Sequence, residues 1–309
     1  MGSYPPTSQS HGQALPHGSP GIEPEILPPD PGFSRTPQPV RRRRSFWAFA
    51  PATYLLVGIN CAVFVVMVAN HVSFWDPTPE NLMHWGANNA GSVLVQGQWW
   101  RIVTAMVVHV GILHLATNMW CLWNLGLLAE PLLGSAGVLA VYILTGAAGN
   151  LLSTFRSWWA AYPDLMELVK KYHGPLPGDQ LLSLFAPGAG ASGAVFGIAG
   201  ALIVLLKSRL LPVPPQELRK LRRLVIYFAA INLVIPFAVN LGARAMHAGL
   251  RIDNMAHLGG FACGLLFAAP LVPRLGSPLS VFQERLRIAV AMVVGILVLF
   301  GFYLTKLPG

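Results

Sequence analysis

PGAGASGAVFGIAGALIVLL, residues 187–206, is a run of twenty residues without a charge, closed by Lys207 and crowded with glycine and alanine. An α-helix crosses the hydrocarbon core of a bilayer in roughly 20 residues, and small residues let membrane helices pack closely. The stretch therefore reads as a tightly packed membrane-spanning helix. Working outward from it, comparable apolar segments lie at 48–69, 102–128, 135–155, 224–242, 254–272 and 288–305. The expected fold class is an all-α polytopic membrane protein. The final segment stands apart behind a basic linker containing Arg274, Arg285 and Arg287.

Composition agrees with this reading. The chain has 309 residues, of which 54% are hydrophobic and 11% charged, less than half the charged share of an ordinary soluble domain. The formal charge of +9 does not point to nucleic acid, because the cations gather beside apolar segments, as in RRRR at 41–44 and in Arg219, Lys220, Arg222 and Arg223. That placement suits a lipid bilayer with anionic headgroups and the control of topology. Cys61, Cys121 and Cys263 each fall inside an apolar run and offer neither disulfide nor metal spacing, so buried free thiols are expected. Residues 1–44 are rich in Pro, Gly, Ser, Gln and His without apolar periodicity, which predicts a disordered tail rather than a cleavable signal peptide.

Lys and Arg also set the orientation. With 41–44 in the cytoplasm, parity over the seven spans places 207–223 and 274–287 there as well, and leaves the long, nearly neutral connections 70–100 and 156–186 outside. The turn near Glu130 is the one inner connection without a basic residue. The outer connection 70–100 carries Trp75, Trp85, Trp99 and Trp100 and reads as a structured loop at headgroup level. In the other, Pro163 precedes an amphipathic stretch at 165–172, which predicts a short interfacial helix between turns.

Polar groups inside a span are costly, so each needs a partner or a purpose. His109, His114 and Asn118 fall in the second span, Ser192 in the fourth and His257 in the sixth, and all three spans run from outside to inside. The five residues can therefore share one cavity open to the outer face. Ser192 sits in Gly190-Ala191-Ser192-Gly193 at a helix start, where small neighbours admit another backbone and free N–H groups can hold an oxyanion. A serine needs a base to take its proton, and His257 is the histidine near the start of another inward span. A Ser-His dyad is expected. Asp253, four residues before His257, stays open by spacing as a third member. His114 and Asn118 share one helical face and can both donate to a developing negative charge. His109 reads as a fastener of the outer loop, and Phe196, four after Ser192, as a ring packed on His257.

These residues carry a family resemblance. His109-Val-Gly-Ile-Leu-His114-Leu-Ala-Thr-Asn118, Gly190-Ala191-Ser192-Gly193-Ala194-Val195-Phe196-Gly197, Ala256-His257-Leu258-Gly259-Gly260-Phe261-Ala262-Cys263-Gly264 and Trp100-Arg101 together resemble the rhomboid intramembrane serine proteases. The resemblance implies a six-helix catalytic core at 45–272, with a linker and a seventh transmembrane helix at 273–309. It implies hydrolysis of a peptide bond in or near the transmembrane segment of single-span membrane proteins. Ser192 would attack with His257 as base, while His114, Asn118 and the Ser192 N–H form the oxyanion hole, without metal or organic cofactor. Trp100 and Arg101 match the family's structural outer-loop motif. Phe196 stands where the family often has tyrosine, and the 156–186 connection is longer than in small bacterial members. The expected location is a bacterial cytoplasmic membrane with the N-terminus in the cytoplasm.

Other classes fit less well. A catalytically inactive relative that binds or retains membrane proteins typically lacks the serine or the histidine, and both are present. No inverted repeat supports a transporter. There is no His-Glu-x-x-His for zinc, and no pair of intramembrane aspartates.

Overall fold

The computed structural model describes residues 50–173, 180, 183–208, 211, 213–245, 253–274 and 277–307. The expected disordered tail at 1–44 lies outside them. The described residues form α1 (Pro51–Ala69), α2 (Pro79–His84), α3 (Ala90–Leu94), α4 (Arg101–Thr104), α5 (Ile112–Tyr172), α6 (Ser192–Leu205), α7 (Pro215–Ala245), α8 (Asn254–Ala268) with a 3-10 extension Ala269–Arg274, and α9 (Leu279–Leu304). Extended pairing among them is limited to one antiparallel bridge between Asn88 and Gly188. Pro51–Ala69, Ile112–Tyr172, Asn254–Val272 and Leu279–Leu304 are long and apolar enough to cross a membrane, and Ser192–Leu205 is apolar but shorter. The chain is a multi-pass, all-α membrane protein.

α5 is two helices joined at Gly134, whose φ of 70° and ψ of 167° leave the helical region and favour glycine. The second limb returns toward the start of the first, since Asn150 Nδ2 donates to the Ile102 carbonyl at 2.8 Å and the Tyr142 hydroxyl to that of Met106 at 3.2 Å. Beside the break, the buried Glu130 carboxylate accepts the Ala52 and Thr53 N–H groups at 2.9 Å and the Thr53 and Ser135 hydroxyls at 2.7 Å. An acid at the N-terminus of α1 is placed favourably against the helix dipole, and its oxygens are fully used.

α6 is the middle of the bundle, apolar and buried on nearly every side. A helix hydrophobic all round belongs inside. Its glycines meet the neighbouring backbones of α8 directly: a Cβ on Gly260 would fall on the Gly193 carbonyl, and one on Gly264 on the Gly197 carbonyl. No side chain fits between α6 and α8 at these two levels.

One expectation is corrected. A separate helix at 165–172 after a turn at Pro163 does not form, because the second limb of α5 runs through Pro163 to Tyr172. Pro163 removes one backbone hydrogen bond, but packing on both sides of it offsets the loss. Trp158 stacks on Phe185 with ring centroids 5.6 Å apart, and Ala161 and Leu165 are buried in the same cluster. The segment 70–100 is structured, as expected, and contains α2 and α3. The cysteines are free, as expected, but only Cys263 is fully buried.

Candidate active site

Ser192 is the first residue of α6, and the turn before it is held at three consecutive points. Gly188 exchanges both backbone hydrogen bonds with Asn88 at 2.8 Å, Gly190 N–H donates to the Ala105 carbonyl at 2.9 Å, and Ala191 N–H donates to His109 Nε2 at 3.4 Å. Gly190 has φ of +130°, where side chains are strained, and a Cβ there would lie 3.0 Å from His114 Nε2. The N–H of Ser192 is among the first four of its helix and has no intrahelical acceptor.

His257 is in the first turn of α8 and is 7% exposed. Its ring stacks on Phe196, with centroids 4.5 Å apart and planes inclined by 19°, and Phe196 in turn leans on Phe228 at 6.1 Å. Gly193, next after Ser192, lies against the carbonyl of Ala256, next before His257: a Cβ on that glycine would be 3.2 Å from the Ala256 oxygen. The two residues are thus chain neighbours of residues in contact, at the starts of two helices pressed together. Among the described residues the Ser192 hydroxyl and the His257 ring are not hydrogen-bonded to each other. In sites without substrate such bonds are often long.

His114 Nδ1 accepts the Val110 N–H at 3.4 Å, which assigns the proton of the neutral ring to Nε2, the nitrogen turned toward Gly190. The ring lies 5.4 Å from that of His109. Asn118 is buried one turn further along, where its Nδ2 donates to the His114 carbonyl at 2.9 Å and keeps one N–H free. Through Gly190, Ala191 and Gly193 the segment that carries Ser192 meets His114, His109 and the residue before His257, while Asn118 is tied to His114 by its bond to the His114 carbonyl.

Residues 96–274 match the family model described as Rhomboid domain. The chain belongs to the rhomboid family. It is 32% identical over 242 residues to rhomboid protease GluP of Bacillus subtilis (strain 168), covering 78% of this chain and 38% of that protein. It is 30% identical over 218 residues to rhomboid protease AarA of Providencia stuartii, covering 70% of each. RHOMBOID-like protein 7 of Arabidopsis thaliana is 28% identical over 190 residues, 62% of this chain and 48% of that protein. The chain thus spans less than half the length of the first and third of these relatives. The rhomboid match runs from just before α4 to the end of the 3-10 turn and includes all four candidate site residues.

Within this rhomboid chain, three side chains have duties that spacing did not disclose. His109 fastens the turn that carries Ser192, because Nε2 accepts the Ala191 N–H, and its Nδ1 has no partner among the described residues in the 70–100 loop. Asp253 is a helix cap, not a partner of the His257 ring: Oδ1 caps α8 through the Met255 and Ala256 N–H groups at 3.1 and 3.0 Å, and Oδ2 accepts from Ser153. Asn88 donates to the Asn150 carbonyl at 3.2 Å and to Thr154 at 3.0 Å, anchoring the 70–100 loop to α5. The only hint of this network in the sequence is the set Asn150, Ser153 and Thr154 on one helical face. Arg101, by contrast, does what the motif implied. Its guanidinium donates to the Met83 and Ala87 carbonyls at 2.8 and 2.9 Å and to Gln98 at 2.6 Å, and lies 4.5 Å from the Trp100 ring. No cluster of three or more His, Cys, Asp or Glu able to hold a metal occurs among the described residues.

Proposed function

We propose that this rhomboid chain is an intramembrane serine endopeptidase acting on single-span membrane proteins, with Ser192 as nucleophile and His257 as general base. The observation that carries the reading is the Phe196–His257 stack together with the Gly193–Ala256 approach, which brings the starts of α6 and α8 to one point. Ser192 Oγ attacks the scissile carbonyl as its proton passes to His257 Nε2. The carbonyl oxygen, now negative, is held by the Ser192 N–H, His114 Nε2–H and the free Asn118 amide hydrogen. His257 then returns the proton to the leaving amine, and water hydrolyses the acyl-enzyme by the same route in reverse.

The proposed setting has six helices of residues 45–272 forming the catalytic core, α9 as a seventh span, and the N-terminus in the cytoplasm of a bacterial inner membrane. α6 supports a site below the lipid surface. Its 14 residues rise ~21 Å against a hydrocarbon core of ~30 Å, so with Lys207 at one face the serine end stops short of the other. Water reaches it only if the outer end of the bundle is open.

Labelling of the purified protein with a fluorophosphonate tests the assignment. The parent is expected to be labelled and to cleave a model single-span substrate, and Ser192→Ala to do neither while folding normally. Undiminished labelling or cleavage by Ser192→Ala overturns the reading.

A further inference from the structure

A histidine that takes a proton at Nε2 must carry one at Nδ1, and the group that accepts that N–H fixes the tautomer and the angle of the ring. In His257 the Nδ1 atom is buried and has no hydrogen-bond partner. The acceptors expected to serve it are committed elsewhere. Asp253, one turn earlier, has both oxygens engaged by the Met255 and Ala256 N–H groups and by Ser153. His114 on α5 has its Nδ1 occupied by Val110 and its Nε2 turned to Gly190. Phe196, stacked on the ring, has nothing to offer, and neither has Phe228 behind it.

Among the described residues, one buried acceptor on the same helix is unspent. Asn254 Oδ1 is also buried and also without a partner. Asn254 opens α8 and stands three residues before His257, so the two side chains share a helical face one turn apart. A buried donor lacking an acceptor and a buried acceptor lacking a donor thus stand three residues apart in the first turn of α8. Each is costly alone, and one hydrogen bond, or one water between them, relieves both.

We propose that Asn254 is the positioning residue for His257: its Oδ1 accepts the Nδ1–H bond, directly or through one water molecule, and so holds Nε2 toward Ser192. The inference rests on the Ser192–His257 reading. A neutral amide suits this place, because it selects the tautomer without burying a second charge beside an imidazole that becomes cationic during the reaction.

The test uses the purified full chain, a model single-span substrate, and the variants Asn254→Ala, Asn254→Asp and Ser192→Ala, read as kcat, KM and the pH profile of kcat/KM. Asn254→Ala is expected to lower kcat by about tenfold with KM within about twofold. Asn254→Asp is expected to recover part of kcat and to move the acid limb of the profile to higher pH. A carboxylate beside Nδ1–H stabilises the imidazolium, which keeps the base protonated further up the scale. Among the described residues the titratable groups around His257 are His114 with His109 behind it on the α5 side and Asp253 at the start of α8, and the substitution leaves all three in place. Asn254→Asp is nearly isosteric and puts an acid in the first turn of a helix, so it remains decisive if the alanine variant does not fold. Parental kcat in Asn254→Ala, or an unmoved acid limb in Asn254→Asp, overturns the proposal. If fluorophosphonate labels the parent and not Ser192→Ala while the Asn254 variants behave as the parent, this inference alone falls. If Ser192→Ala is labelled as strongly as the parent, the dyad falls and the inference with it.

Discussion

Gly190 faces the His114 imidazole at the point where any side chain would project, with a backbone that only glycine adopts without strain. Gly190→Ala is therefore expected to displace the His114 ring or the turn before Ser192. Cleavage should fall by more than about tenfold, at a strain cost of about 1–3 kcal/mol, measured as turnover and thermal midpoint together. Unchanged values of both would show that the turn is looser than it looks. His114→Ala and Asn118→Ala test the oxyanion role. Each should raise the barrier by about 1–3 kcal/mol with KM nearly constant, and parental rates in both would remove it. The packing of Phe196 on His257 was legible at this scale because each is an aromatic or polar exception at a defined depth of an apolar run. The duties of His109, Asp253 and Asn254 were not. Spacing says which residues share a face, but not which acceptors a distant serine or backbone N–H has already taken.

At the scale of elements, the interface between α6 and α8 is backbone against backbone. Gly260→Val and Gly264→Val would each drive a side chain into a carbonyl of α6, and with no flexible neighbour to yield, the helices must part. Overpacking of this kind costs about 1–3 kcal/mol or more and here also separates Ser192 from His257. Both variants are expected to lose activity and melt earlier. Gly295→Val, where a Cβ meets nothing within 4 Å, should do neither. Equal stability of all three would contradict the close packing. Every apolar segment foreseen in the sequence overlaps a helix, since a long run without charge admits few alternatives. Boundaries were less legible: α6 starts at Ser192 rather than 187, and α5 passes through Pro163. Both depend on tertiary partners, the Asn88 bridge in the first case and the Trp158–Phe185 stack in the second.

For the whole molecule the open question is what α9 adds, because it begins beyond the rhomboid match. It packs beside the second limb of α5 between Gly137 and Phe155. Leu286 lies near Gly137, close to the Gly134 break, while Phe300 packs on Phe155 at 5.9 Å and Gly301 approaches Trp99 of the 70–100 loop. Leu304 is wholly buried in a cluster with Val93, Ile102 and Leu151, so α9 helps to hold the loop that Arg101 and Asn88 tie to the core. None of the four candidate site residues touches α9 in these clusters, and the Ser192 turn has its own fastenings at Asn88, Ala105 and His109. A chain ending at residue 278 is therefore expected to keep labelling by fluorophosphonate but to melt lower, because the packing of Val293, Phe300 and Leu304 against the bundle is lost. The measurement is a thermal scan of both forms in one detergent, with labelling read alongside. An unaltered midpoint would make α9 a passive appendage, and loss of labelling in a folded truncated chain would instead make it part of the catalytic assembly.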